Sequence, residues 1–224
     1  QGVYALGSSY GSLAARLILQ PLEETARLWF SKFQNDTELL QTSYVVLVKV
    51  VLYVGLVFSC LAVNYTHILL VFLAGSKWGE EAVDILSAFC IYTAFFALNG
   101  MTEAFVYGVA SRGHDIGKIG VAHTTTGLLF CLVAPLCVSK FGTIGVVVAN
   151  CVAMLGRSLF SVHFASNYMH VPIFKLLDRT FPHRLVLIMF ALSFFATRVS
   201  KVYMESRDDA LWWRLAVEHV GIGV

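Results

Sequence analysis

Long apolar runs divided by short polar connections constrain this chain more than any other feature. A helix needs roughly 20 apolar residues to cross about 30 Å of hydrocarbon, and Tyr44 to Val63 supplies them with Lys49 as an interruption. Ala82 to Tyr107, Val121 to Val138, Thr143 to Ala165 and Leu185 to Val202 meet the same requirement with few ionisable residues inside. With 58% hydrophobic and only 13% charged residues, the 224 residues cannot coat a water-soluble globule. No segment alternates with period two, so a transmembrane barrel is disfavoured and an all-α, polytopic membrane helical bundle is expected. Six crossings are predicted within 1–204, near 4–30, 44–63, 82–107, 121–138, 143–165 and 185–202, and 205–224 reads as a polar connection and the start of a truncated last helix.

The connections between these spans are short: Gln34 to Thr42, Gly75 to Glu81, Val109 to Gly120 and Ser139 to Gly142. Asn167 to Arg184 is longer, and its Pro172, Pro182 and Phe174/Leu176/Leu177/Phe181 set reads as an interfacial elbow. Lys32, Arg112, Lys118, Lys175, Arg179 and Arg184 fall on one side, against Lys77 and Lys140 on the other, which places the first set in the cytosol. Arg207 and Arg214 count against that orientation. Residue 1 runs straight into a helix, and the closing "ALWWRLAVEHVGIGV" opens a further apolar run, so a piece of a longer protein is expected. Neither sequon, at Asn35 or at Asn64, is expected to carry a glycan, the first lying in a cytosolic loop and the second against a helix end.

Several function classes are excluded by what the motifs lack. Cys60, Cys90, Cys131, Cys137 and Cys151 sit in apolar runs without a metal-ligand spacing, and the histidines form no paired arrangement, so no metal or other cofactor is expected. "GHDIGKIG", 113–120, has three residues between its glycines where a phosphate-binding loop has four, and Ile119 where that loop needs Ser or Thr. An ATP-driven pump is therefore disfavoured and transport would be facilitated or ion-coupled. No nucleophile and base are paired, so an enzyme is not expected, nor is a nucleic-acid partner.

Charge is nevertheless concentrated in "SLAARLILQPLEETARLWF", 12–30. At 100° per residue, Ser9, Ser12, Arg16, Gln20, Glu23 and Arg27 fall within about 80° of one another, with Glu24 just outside that arc. Gly7, Gly11 and Ala14 give the opposite side a small-residue surface for helix contact. Pro21 removes a backbone donor, so a kink is expected beside these charges. An ionised side chain at mid-membrane costs roughly 2.5 to 3.5 kcal/mol even on lenient scales, so the stripe must face protein, water or a polar ligand. Pairing of Arg27 with Glu23 and Glu24 one turn away is one way to satisfy it; Arg16 has no such partner in its own helix. Asn99 and Glu103 share a face above Tyr92, and Asn150, Arg157 and Ser161 share another. These are either interhelical clamps or the lining of a water-filled cavity. Lys49 is expected to snorkel toward its helix end, as are Arg198 and Lys201.

"GSLAARLILQPLEE", "LNGMTEAF" and "ANCVAMLGR" resemble signature stretches of the Rft family, the eukaryotic endoplasmic-reticulum family associated with dolichol-linked oligosaccharide translocation. That family is placed among the multidrug, oligosaccharidyl-lipid and polysaccharide exporters. The resemblance covers essentially the whole chain as the C-terminal half of a member, fitting least well over the last twenty residues. It implies one lobe of a two-lobed, alternating-access fold, with a multi-pass location in the endoplasmic-reticulum membrane and the missing N-terminal bundle as partner across a central cavity. It further implies flipping of a dolichol-pyrophosphate-linked oligosaccharide for protein N-glycosylation. Arg16 and Arg157 would hold phosphate, Gln20, Asn99 and Asn150 would meet sugar hydroxyls, and Glu23, Glu24 and Glu103 would set local potential or respond to protons. A non-transporting scaffold of the same pathway and a cation-coupled small-molecule exporter are the alternatives.

Overall fold

The computed structural model describes residues 9, 12–13, 15–74, 80–110, 113–205 and 221. Its elements run π1 (Ala15–Leu19), α1 (Gln20–Lys32), α2 (Thr37–Leu56), π2 (Val57–Ala62), α3 (Val63–Ala74), α4 (Glu80–Val109), α5 (Gly113–Phe141), α6 (Ile144–Tyr168), α7 (Ile173–Thr180) and α8 (Arg184–Glu205). Among the described residues five helices are long and apolar enough to cross a membrane: Thr37–Phe72, Glu81–Val109, Asp115–Phe141, Ile144–Tyr168 and Arg184–Val202. The expected all-α bundle is what forms. Of the first predicted crossing, 4–30, residues 4–8, 10, 11 and 14 lie outside the described residues, as does 206–220, which holds most of the predicted last segment.

The helices outrun the apolar windows that announce them. Asp36 accepts the Leu39 N–H at 3.0 Å, an N-cap that starts α2 inside the expected Gln34–Thr42 loop. The same helix then continues past Val63, because the polar residues that look like its end find partners. Asn64 Nδ2 donates to Thr197 Oγ1 at 2.7 Å and to the Phe194 carbonyl at 3.2 Å on α8, and Thr66 Oγ1 meets Ser87 Oγ on α4 at 2.9 Å. The intervening π2 has a local cause. Ser59 Oγ takes the Gly55 carbonyl at 2.7 Å, competing with the backbone donor one turn on, and the ladder widens there.

Phe105 is the hub of the core. Fully buried on α4, it lies 5.1 Å from Phe30 of α1, 4.9 Å from Tyr44 of α2 and 5.9 Å from Tyr168 of α6, all edge-on. Offset and edge-on pairs contribute about 0.5–1.5 kcal/mol each beyond area burial, so this residue knits four elements. Around it pack Leu19, Ala26, Val48, Met101, Met169 and Leu176.

Small residues set the closest approaches. A Cβ on Gly108 would stand 2.8 Å from the Arg27 carbonyl oxygen and 2.9 Å from Phe30 Cβ, so α1 lies directly on the α4 backbone. Gly145 brings α6 against the Cys137 carbonyl of α5, after a turn whose Gly142 takes φ +57°. α6 ends in a Schellman arrangement, Val171 N–H to Ser166 carbonyl at 3.0 Å and His170 N–H to Asn167 carbonyl at 3.3 Å, with His170 at φ 54°. Beyond it the expected elbow contains the short amphipathic α7, which buries Leu176 and Thr180 and exposes Phe174 and Lys175.

The outer surface is apolar on α5 (Ile116, Val121, Leu128, Leu132, Leu136) and on α8 (Leu185, Ile188, Met189, Leu192, Phe195), which fits contact with lipid chains. Substituting Gly108→Ala is expected to destabilise the bundle by about 1–3 kcal/mol through overpacking. Gly127→Ala, where no atom lies within 4 Å of the added methyl group, should leave stability unchanged or raise it by up to about 1 kcal/mol. Thermal unfolding in detergent compares the two.

Candidate functional site

The polar residues of the bundle gather where α1, α4, α5 and α6 meet. Glu103 on α4 lies 3.6 Å from Arg157 Nε on α6 and 3.5 Å from His123 Nε2 on α5. Tyr107, one turn beyond Glu103, places its hydroxyl 3.2 Å from the same His123 nitrogen. The side chains of Glu103, Arg157 and His123 are 17%, 26% and 33% exposed, so the set opens on one side instead of being sealed. At 3.6 Å the ion pair is longer than a hydrogen bond, and the guanidinium forms no hydrogen bond among the described residues.

Glu23 joins this group from α1. Its carboxylate lies over the bare backbone of Gly100 on α4, in the space a Cβ would occupy, and it is within electrostatic reach of Glu103 and Glu24. A side chain at 100 would expel it. Buried atoms without hydrogen-bond partners accumulate here: Glu23 Oε1, Asn99 Oδ1, Glu103 Oε1 and Arg157 Nε. The last two face each other in the long ion pair, whereas Glu23 Oε1 and Asn99 Oδ1 are left for water, an ion or a ligand to satisfy. Among the described residues no group of His, Cys, Asp and Glu is arranged to hold a metal ion.

The expected stripe on the first helix divides. Glu23 turns inward, whereas Gln20, Glu24 and Arg27 remain exposed on a face bordered by Ile18 and Leu28. Glu23 stands at the edge of the stripe next to the buried Ala26 and Phe30, three and seven residues on, and the bare Gly100 opposite makes room for it. The anticipated pairing of Arg27 with Glu23 or Glu24 does not form among the described residues. Arg16 belongs to π1, but its side chain lies outside the described part, as does the Gly7/Gly11/Ala14 surface.

Asn150 sits apart from the cluster, its Nδ2 donating to Tyr92 Oη at 3.4 Å, a weak strut between α6 and α4. Ser161 is buried. The sequence did not single out Tyr107 or His123. Tyr107 carries a signal, the same i,i+4 spacing that joins Asn99 to Glu103; His123 carries none, because only the packing of α5 brings it in.

Two chemical elements therefore lie side by side: an open acid–base–guanidinium patch and a neighbouring helix face with amide, carboxylate and guanidinium groups. Arg157 can offer a bidentate fork to an oxyanion on the side away from Glu103. Replacing Glu103 by Gln or Arg157 by Gln singly should cost about 1–2 kcal/mol, between the values for exposed and sealed pairs. The double substitution should cost clearly less than their sum, and a double-mutant cycle on thermal stability reads that coupling.

The Rft protein family model matches residues 1–221. The chain is similar to the Man(5)GlcNAc(2)-PP-dolichol translocation protein RFT1 of Schizosaccharomyces pombe, 29% identical over 99% of this chain and 43% of that protein. The mouse protein of the same name is 28% identical over the whole chain and 43% of its own length. The Saccharomyces cerevisiae one is 33% identical over 75% of this chain and 30% of the relative. No solved structure matches. The chain thus spans less than half the length of these relatives, and it belongs to the Rft family.

Proposed function

We propose that this chain is one lobe of a two-lobed, alternating-access translocator that flips a dolichol-pyrophosphate-linked oligosaccharide across the endoplasmic-reticulum membrane for protein N-glycosylation. The observation that carries this reading is the partly open cluster in which Glu23 Oε1 and Asn99 Oδ1 have no hydrogen-bond partner and Glu103 and Arg157 are held only by a long ion pair, next to the uncovered Gln20/Glu24/Arg27 face of α1. Lipid cannot lie against that face at tolerable cost. A hydrated chamber between this lobe and the remaining length of the longer protein can.

The physical task fits the groups present. Carrying a pyrophosphate and sugars through hydrocarbon strips each polar group of its partners at a cost of several kcal/mol. A groove that leaves the polyprenyl chain in lipid and offers guanidinium forks and amides to the head group removes most of that barrier. Arg157, and Arg16 in π1, hold phosphate; Gln20 and Asn99 meet sugar hydroxyls, and Asn150 does so after releasing Tyr92. Glu103 holds Arg157 in place between substrates, Glu23 and Glu24 set the local potential, and no catalytic step is required. The relatives' names describe translocation, which supports the substrate class.

A second reading is favoured by the ties themselves. Glu103, His123, Tyr107 and Arg157 join α4, α5 and α6, which is what a non-transporting scaffold of the pathway would need. Reconstituting the full-length protein into liposomes and following the flipping of a defined dolichol-linked oligosaccharide separates the two. Translocation predicts flipping well above protein-free liposomes and at least a tenfold loss for Arg157→Gln at preserved thermal stability. Flipping no faster than in protein-free liposomes would leave the scaffold reading.

A further inference from the structure

Away from that patch, a pocket of about 760 Å³ opens where α2, α7 and the start of α8 meet, lined by Val45, Lys49, Asp178, Arg179, Phe181, Pro182, His183, Arg184 and Leu187. Three permanent cations line it against one carboxylate. Lys49, Arg179, Arg184 and Asp178 form no ion pair among the described residues, with each other or with any other side chain. Lys49 is half-buried within the apolar span of α2, while Arg179, His183 and Arg184 are exposed at the rim.

We propose that this pocket binds the phosphate head group of an anionic glycerophospholipid. Three features converge. His183 caps α8: its carbonyl accepts from Val186 N–H at 2.9 Å and its Nδ1 accepts from Leu185 N–H at 3.3 Å, leaving the ring proton on Nε2. The positive end of that helix and an imidazole donor therefore stand beside the three cations. Second, the wall is amphipathic. Val45 and Leu187 line the pocket, with Leu185 64% and Ile188 53% exposed next to it on α8, a surface that suits acyl chains and that a free anion has no use for. Third, α7 joins two long apolar helices and exposes Phe174 (83%) and borders exposed Phe181 (57%), as an interfacial helix does. Lys49 lies about 8 Å along the helix from Tyr44, where the apolar run begins, so its ammonium reaches the same level by snorkelling. Basic pockets between membrane helices at this depth hold lipid head groups.

The site stands independently of the translocation reading, because it shares no residue with the α1–α4–α6 patch. Native mass spectrometry of the full-length protein in neutral detergent, titrated with phosphatidylinositol or phosphatidylcholine, tests it. One phosphatidylinositol should be retained in preference to phosphatidylcholine, with Lys49→Gln and Arg179→Gln each weakening retention about fivefold and Lys49→Arg restoring it. Arg179 is exposed, so its substitution leaves packing intact and gives a reading even where Lys49→Gln lowers the yield of folded protein. Equal retention of the two lipids, or retention unchanged in Arg179→Gln, would overturn the proposal. So would displacement by millimolar inorganic phosphate, which marks a free-anion site, or by a polyprenyl pyrophosphate at lower concentration than phosphatidylinositol, which marks a substrate site.

Discussion

The close approach of α1 to α4 is the contact on which the rest of the bundle depends. Gly100 and Gly108 leave the α4 backbone bare on the side that receives α1, and without a hydrophobic driving force between helices in lipid, such backbone contact is what holds a pair together. At one glycine the backbone and Phe30 of α1 settle in, and Phe30 then completes the aromatic group around Phe105. At the other, two turns away, the vacant Cβ position admits the Glu23 carboxylate. The same packing that stabilises the bundle thus delivers an acidic group next to Asn99 and Glu103. A bundle with alanine or leucine at these positions would have a drier interface and no route for Glu23 into it.

Electrostatics then decides what the interface is for. A sealed ion pair would need good geometry to offset desolvation, yet the Glu103 to Arg157 contact is long and its members are partly open. Near it, Glu23 Oε1 and Asn99 Oδ1 are buried without a hydrogen-bond partner among the described residues. The exposed side of α1 carries Gln20, Glu24 and Arg27 beside apolar Leu28 and Trp29. On the proposed reading, both features belong to a surface finished by water or by something polar.

The fold class was legible because the need for about 20 apolar residues per crossing leaves few alternatives. The face shared by Asn99 and Glu103, and the one holding Arg157, were legible for the same geometric reason, a uniform helical period on α4 and α6. Three things were not. The division of the α1 stripe depends on which edge of the helix α4 covers and on the bare Gly100 that admits Glu23 there, neither of which a helical wheel of α1 contains. The extension of the second span beyond Val63 depends on Asn64 and Thr66 meeting Thr197 and Ser87, contacts across long stretches of chain. His123 enters the cluster only by tertiary packing. Local periodicity is encoded in neighbouring residues, whereas the partner that rescues a polar residue in a greasy helix comes from elsewhere.

The central claim is that the outer face of α1 borders water inside the membrane. It is tested most directly by placing single cysteines along α1 in the full-length protein, with the native cysteines replaced, and labelling intact membranes with a charged maleimide, which needs water to ionise the thiol. Cysteines at Gln20, Glu24 and Arg27 should label rapidly while those at Ile18 and Trp29 stay slow, a pattern with the period of the polar face. Uniformly slow labelling along α1, or a fast face formed by Ile18 and Trp29, would contradict the account.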